Sequence, residues 1–261
     1  MKSILHYLNP KLYHPDSVLD WFTHRAGKGH VISGPFTGLA YVGAAAGSAY
    51  VPKVLGTYEK ELHAIIRQVQ EKHFDSIVGI GAAEGYYAVG LAVSANGNAR
   101  VLAYETEEPG RRLLAEMASL NRVTGQIEIA GQCEPVDLER ALAAATGKKF
   151  VLCDTEGYEL HLLDLEVVPS LGTAYILVEL HEFVHRGITE IMRKRFARTH
   201  DIEEVFSVAR DRQDYPIKNW YTRLCPHKYI LKAMQEYRPE QMNWFWMQPK
   251  PPVAPWRKGR S

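Results

Sequence analysis

Apolar positions along the chain alternate between a helical and an extended period. Leu62, Ile65, Ile66 and Val69 fall at i, i+3, i+4 and i+7, the stripe of a helix that faces a core. SIVGI (76–80) then reads as a short buried strand, YYAVGLAVSA (86–95) as a helix and ARVLAYE (99–105) as a second strand. The next helix carries Leu113, Leu114, Met117 and Leu120 on one face. IEIA (127–130) predicts a strand, DLERALAAA (137–145) a helix, FVLCD (150–154) a strand and LHLLDLEV (160–167) a helix. AYILVEL (174–180) and TEIMRKRFA (189–197) close the series as strand and helix. Strands separated by amphipathic helices pair in parallel through right-handed crossovers. The pattern therefore predicts an α/β fold, a doubly wound, mostly parallel sheet that binds ligands at the carboxyl ends of its strands.

The ends of the chain read differently. Residues 1–54 lack a sustained period: helix-like spacing around Leu19, Trp21 and Phe22 gives way to GPFTGLAYVGAAAGSAY, which suggests a mobile, lid-like extension. Residues 55–205 form the expected core. Residues 206–248 are aromatic and irregular and should pack on it or cover its pocket, and the Pro-rich, basic residues 249–261 read as a flexible tail.

Composition narrows the partners. With 31 basic and 30 acidic residues the formal charge is +1, so no global field recruits nucleic acid or an anionic membrane. Cys133, Cys153 and Cys225 form no C-x-x-C pair, which argues against a disulfide framework and fits a reducing cytoplasm. There is no apolar run of about 18 residues. The expectation is a soluble cytoplasmic protein with a small-molecule substrate. The sequence says nothing about its oligomeric state.

Candidate chemistry begins at GIGAAEG (79–85), where a strand must turn sharply into a helix and glycines let backbone N–H groups approach a ligand. Twenty residues after Gly85, the second strand ends on Glu105, placed to accept two ribose hydroxyls. Together these features point to an adenosine-containing ligand, either S-adenosylmethionine or a nicotinamide dinucleotide.

VGIGAAEGYYAVGLA, VLAYETEEPGRRLLAEMASLNRV, FVLCDTEGYELHLLD and ILVELHEF, taken in order, resemble the FkbM-type methyltransferases over roughly residues 55 to 185. Gly81, Ala82, Gly85, Tyr86, Tyr87, Glu105, Asn121, Asp154, Glu156 and Gly157 match that family's pattern. Gly79 and Ala83 stand where the family usually has Asp and Asn, with Glu84 the nearest replacement for the lost polar contacts. The resemblance implies a Rossmann-like methyltransferase fold and O-methylation of a hydroxyl on a sugar or small natural product. It also implies an S-adenosylmethionine site formed by Gly79, Gly81, Glu84, Gly85, Tyr87, Glu105, Thr106, Gln132, Cys133 and Asp154.

Asp154 and Glu156 follow a buried strand, and Glu179 and His181 share one face at the end of the next. Asp154, Glu156 and His181 are the catalytic candidates, with the histidine as general base. If the three converge they could instead hold a divalent metal that orients a substrate diol. Tyr58 and Glu59 are substrate-side candidates, and also plausible capping residues. Three rival readings stay open: an NAD(P)-dependent oxidoreductase on the same fold; a zinc hydrolase through His181-Glu182-Phe183-Val184-His185, which matches H-E-x-x-H but needs a helix there; and a non-catalytic protein that uses the fold for binding, for which the missing Asp at Gly79 speaks.

Overall fold

The computed structural model describes residues 12–13, 23 and 25–251. The helix-like spacing around Leu19, Trp21 and Phe22 and the tail from residue 252 lie outside the described residues. Leu12–Tyr13 (β1) pairs antiparallel with Ala45–Ala46 (β2). The main sheet has seven strands: β3 (Ser76–Ile80), β4 (Arg100–Tyr104), β5 (Ile127–Ala130), β6 (Lys149–Cys153), β7 (Tyr175–Leu180), β8 (His200–Phe206) and β9 (Asn243–Pro249). Their spatial order is β5-β4-β3-β6-β7-β9-β8. Strands β3 to β7 pair in parallel, and β9 is antiparallel to both β7 and β8. The doubly wound, mostly parallel sheet is the one the alternating pattern predicts.

Among the described residues, the helices that accompany the sheet are α1 (Tyr50–Leu55), α2 (His63–Lys72), α3 (Tyr86–Ala95), α4 (Glu108–Leu120), α5 (Pro135–Ala144), α6 (Glu159–Leu162), α7 (Ile188–Phe196), α8 (Trp220–Leu224) and α9 (His227–Ala233). On α2, Ile65, Ile66 and Val69 are buried. On α4, Leu114 and Met117 are buried but Leu120 is half exposed, because the stripe rotates off the core at the last turn.

Three expectations need correction. Where it is described, the N-terminal segment is packed into the core and not loosely attached. Val31, Phe36, Leu39, Tyr41 and Val42 belong to the main core cluster, and all of α1 is buried. Phe36 lies against Gly90 of α3, where an added Cβ would meet its ring at 2.6 Å, so the missing side chain on α3 is what lets the segment dock.

The helix expected over 160–167 is a single turn, α6. Arg195 of α7 donates to the carbonyls of Leu160 and Leu163, and the Asp164 side chain accepts from Glu166 N–H, so the next turn's backbone partners are taken.

The aromatic stretch NWFWMQP is not an irregular segment laid on the core but strand β9, slotted between β7 and β8. Trp244 and Trp246 pack on one face of the sheet and Phe245 and Met247 on the other. A strand buried on both faces shows no polar alternation, which is why it reads as irregular.

The strand order reverses between β3 and β6. Gly81, with φ +77°, ends β3 so close to β6 that a Cβ would lie 1.6 Å from the Asp154 carbonyl oxygen. Gly81→Ala is expected to lower the urea midpoint, with more than about 1 kcal/mol lost to the left-handed backbone alone.

Candidate active site

A cavity of about 400 Å³ opens at this reversal, on the carboxyl edge of the sheet. Much of its lining comes from the loops that follow successive strands. The end of β3 contributes Gly79, the turn after it Gly81, Ala82 and Ala83, the loop after β4 Glu105 and Thr106, and the loop after β5 Gln132 and Cys133. The loop after β6 adds Asp154 and Glu156, and from outside the sheet come Lys53, Tyr58, Glu59 and Tyr87. Glu59, Ala83 and Glu156 hold positive φ angles of 45°, 50° and 52°, backbone strain gathered on the wall of a pocket.

Glu105 is nearly buried. Its carboxylate accepts from Ala83 N–H at 2.8 Å and Glu107 N–H at 2.7 Å, which ties the tip of β4 to the glycine turn. Gly110 permits this packing, since a Cβ there would meet Glu105 Cγ at 2.8 Å. A carboxylate has about four acceptor sites, so both oxygens keep capacity for ligand hydroxyls.

Glu84 and Gly85, placed at the cofactor by sequence, do not line the cavity. Glu84 is fully buried and accepts from Tyr41 Oη, from Ala46 N–H at 2.9 Å and from Lys53 Nζ at 2.5 Å. It latches the N-terminal segment to the turn instead of replacing the missing polar contacts. Gly85 faces α4, where a Cβ would meet Leu114 Cγ at 3.0 Å; its role is close helix packing.

No family model matches the chain, and no curated protein does. Among solved structures it is similar to the O-methyltransferase TomG of Streptomyces achromogenes, which is involved in tomaymycin synthesis and was solved with SAM. The identity there is 13%, covering 95% of this chain and 96% of that one, with a TM-score of 0.47. An O-methyltransferase from Bacillus cereus in complex with SAH is 12% identical over 70% of this chain and 78% of that one, with a TM-score of 0.47. A SAM-dependent O-methyltransferase from Thermotoga maritima is 13% identical over 76% and 68%, again with a TM-score of 0.47. Among the described residues no helix is long and apolar enough to cross a membrane.

The catalytic candidates meet only in part. Asp154 is on the cavity wall, and His181 lies behind it, buried, with Nε2 at 3.6 Å from Asp154 Oδ1. The other ring nitrogen, Nδ1, contacts Glu159 Oε1 at 2.8 Å. Glu159 is fully buried, and the same oxygen accepts from Thr155 N–H, Thr155 Oγ1 and Gly157 N–H. Burial would raise the Glu159 carboxyl, but the His181 bond and charge and the Gly157 amide hold it below its usual range. Burial likewise opposes charge on His181, yet the Glu159 bond and the Asp154 and Glu159 charges raise its pKa. The Asp154 carboxyl is pushed up to about 6, chiefly by removal from bulk water, against the attraction of His181. Nothing in the sequence marked Glu159, which looks like the polar side of an amphipathic turn.

A second cluster borders the cavity. Arg238 Nη2 pairs with Glu59 at 2.8 Å, Nη1 with Glu179 at 2.5 Å and Nε with Glu236 at 3.0 Å, and the guanidinium lies 4.8 Å from the Trp244 ring centroid. Tyr87 Oη donates to Glu59. Burial and the Asp154 and Glu59 charges raise the Glu179 carboxyl well above its usual range. Arg238 lies 179 positions from Glu59, a separation at which no spacing pattern could have linked them.

Asp154, Glu179 and His181 each bring one donor atom within 4.8 Å of the others, close enough to surround one divalent cation, with Glu179 in place of the expected Glu156. The zinc-hydrolase motif does not form its helix. Residues after Leu180 turn, His185 is exposed, and Glu182 accepts from Gly187 N–H and Thr189 N–H at the start of α7.

Proposed function

We propose that the protein is an S-adenosylmethionine-dependent O-methyltransferase of the FkbM type, acting on a hydroxyl of a sugar or small natural product. The observation that carries this reading is Glu105, whose carboxylate accepts from the Ala83 amide and so lies beside the glycine turn, where it would take a ribose, with Asp154 on the same cavity. A nicotinamide oxidoreductase fits less well. Dinucleotide domains have an order built from two mononucleotide-binding halves, whereas here antiparallel β9 is slotted inside the edge, an arrangement that matches Rossmann-like methyltransferases.

The residues present suit such a cofactor. Glu105 would hold the ribose, Gln132 and Cys133 would border the adenine, and Gly79, Gly81, Thr106 and Tyr87 would contribute wall and backbone. Glu59 would face the ammonium, and Lys53 is the cation on the wall for a carboxylate. When bound, S-adenosylmethionine supplies a methyl group on a positively charged sulfur, so the acceptor oxygen gains a carbon and loses a proton and a neutral thioether remains. Asp154 accepts that proton, since it stands on the cavity wall and its carboxyl is pushed up to about 6, toward the range where a general base is effective. His181, held by Glu159, is a positioning residue that acts through Asp154.

Glu105→Ala is expected to weaken S-adenosylmethionine binding by about 1.5–3 kcal/mol, roughly 10- to 150-fold, measured by calorimetry. Unchanged affinity in a folded variant would remove the ribose role and with it the main support for this function.

A further inference from the structure

Parallel and antiparallel register arrange the cavity floor in rows across one face of the sheet. The rim row, at the carboxyl edge, holds Asp154 one step beyond β6, and Glu179 opposite Trp244. One row deeper, Gly79 is paired with Leu152, and Leu152 with Leu177. Deeper still is Ile77. Gly79 is buried on a central strand, yet a Cβ placed there would find nothing within 4 Å. The space it leaves belongs to the cavity, whose lining continues past the acidic rim to Ile77, Leu152 and Leu177 on the sheet and to Ala88 and Leu91 on α3.

This hollow is apolar below a polar rim. Water would have too few partners there, since a buried water needs two to four hydrogen bonds, and cavities of this type stay dry and accept hydrocarbon. The cofactor's ammonium and carboxylate would lose their hydration against leucine and isoleucine walls, while Glu59 and Lys53 offer them charged partners in the same cavity. We propose that the hollow receives a hydrocarbon part of the methyl acceptor. Of the two acceptor classes, this selects the small natural product over the sugar: a hydroxyl carried on a short alkyl chain or a single ring, with its oxygen at Asp154 on the rim. The term acceptor rests on the methyltransferase reading; the hollow does not.

The probes are the straight-chain alcohols from propanol to octanol, titrated into the full chain and followed by NMR shifts of the leucine and isoleucine methyl groups. Affinity is expected to climb roughly fourfold per added methylene until the hollow is full. Ala88→Leu and Leu91→Phe, each filling the hollow from α3, should flatten that series while leaving S-adenosylmethionine affinity within about twofold; if one variant does not fold, the other gives the result. Alcohol binding without length dependence overturns the proposal. So does a filled variant that loses the cofactor and keeps the alcohols, because the cofactor would then occupy the hollow. Length-dependent alcohol binding by a protein with no affinity for S-adenosylmethionine would retain the apolar site and remove the methyltransferase reading.

Discussion

Glu84→Ala is expected to destabilise the fold by about 3–5 kcal/mol in urea unfolding, a large part of the stability of a typical domain. Lys53 is 3% exposed and Glu84 is fully buried, so removing the carboxylate leaves an ammonium in the core without its counter-ion. Tyr41 Oη and Ala46 N–H lose their acceptor in the same step. The aromatic rings beside Lys53, Tyr58 at 5.0 Å and Tyr86 at 5.9 Å, recover a smaller share of the attraction. Combining Lys53→Met with Glu84→Ala should restore part of the loss, because removing both charges avoids the unpaired one. A single-variant loss below about 1 kcal/mol would make the latch no stronger than a surface ion pair. The latch joins residues 41–53 to the turn that leads into α3, so its failure should loosen the N-terminal segment and the cavity wall together.

That latch also shows where sequence reading reaches its limit. Strands β3 to β7 were legible because each is a short apolar run separated from the next by a helical stripe, and that alternation admits few topologies. The glycine turn, Glu105 and Asp154 were legible because each lies at the end of such a strand, where chain position alone places it on the cavity edge. Glu84 lies in the same turn and looks like a polar loop residue. Whether its carboxylate faces a ligand or the core is decided by Lys53, 31 positions earlier in a segment with no clear period. Glu59 and Glu179 are gathered by Arg238 from a distant loop in the same way. His181 was legible as a strand-end residue, but its position behind Asp154 depends on the Glu159 contact, which follows from the single-turn length of α6.

Asp154→Asn is expected to lower turnover by about 10²- to 10⁴-fold, the usual contribution of a general base, while cofactor affinity falls far less. The amide keeps the shape of the side chain but cannot take a proton. In the unmodified protein the rate should rise with pH as Asp154 ionises, with a midpoint set by a carboxyl at about 6. His181 lowers that value through its positive charge, so His181→Ala should move the rising limb to higher pH. Turnover would then drop most on the acid side and recover as the pH is raised, a signature that a purely structural histidine would not produce. An unchanged pH profile in a folded His181→Ala variant would leave the histidine as packing. EDTA separates this mechanism from the cation the same side chains could hold. Activity that survives chelation is expected for a proton-accepting Asp154. Loss on chelation with recovery on adding Mn²⁺ would recast Asp154, Glu179 and His181 as ligands, and the Asp154→Asn variant should then lose metal affinity in parallel with turnover. The Glu159 contact is needed in either case, because it fixes which nitrogen of His181 faces Asp154.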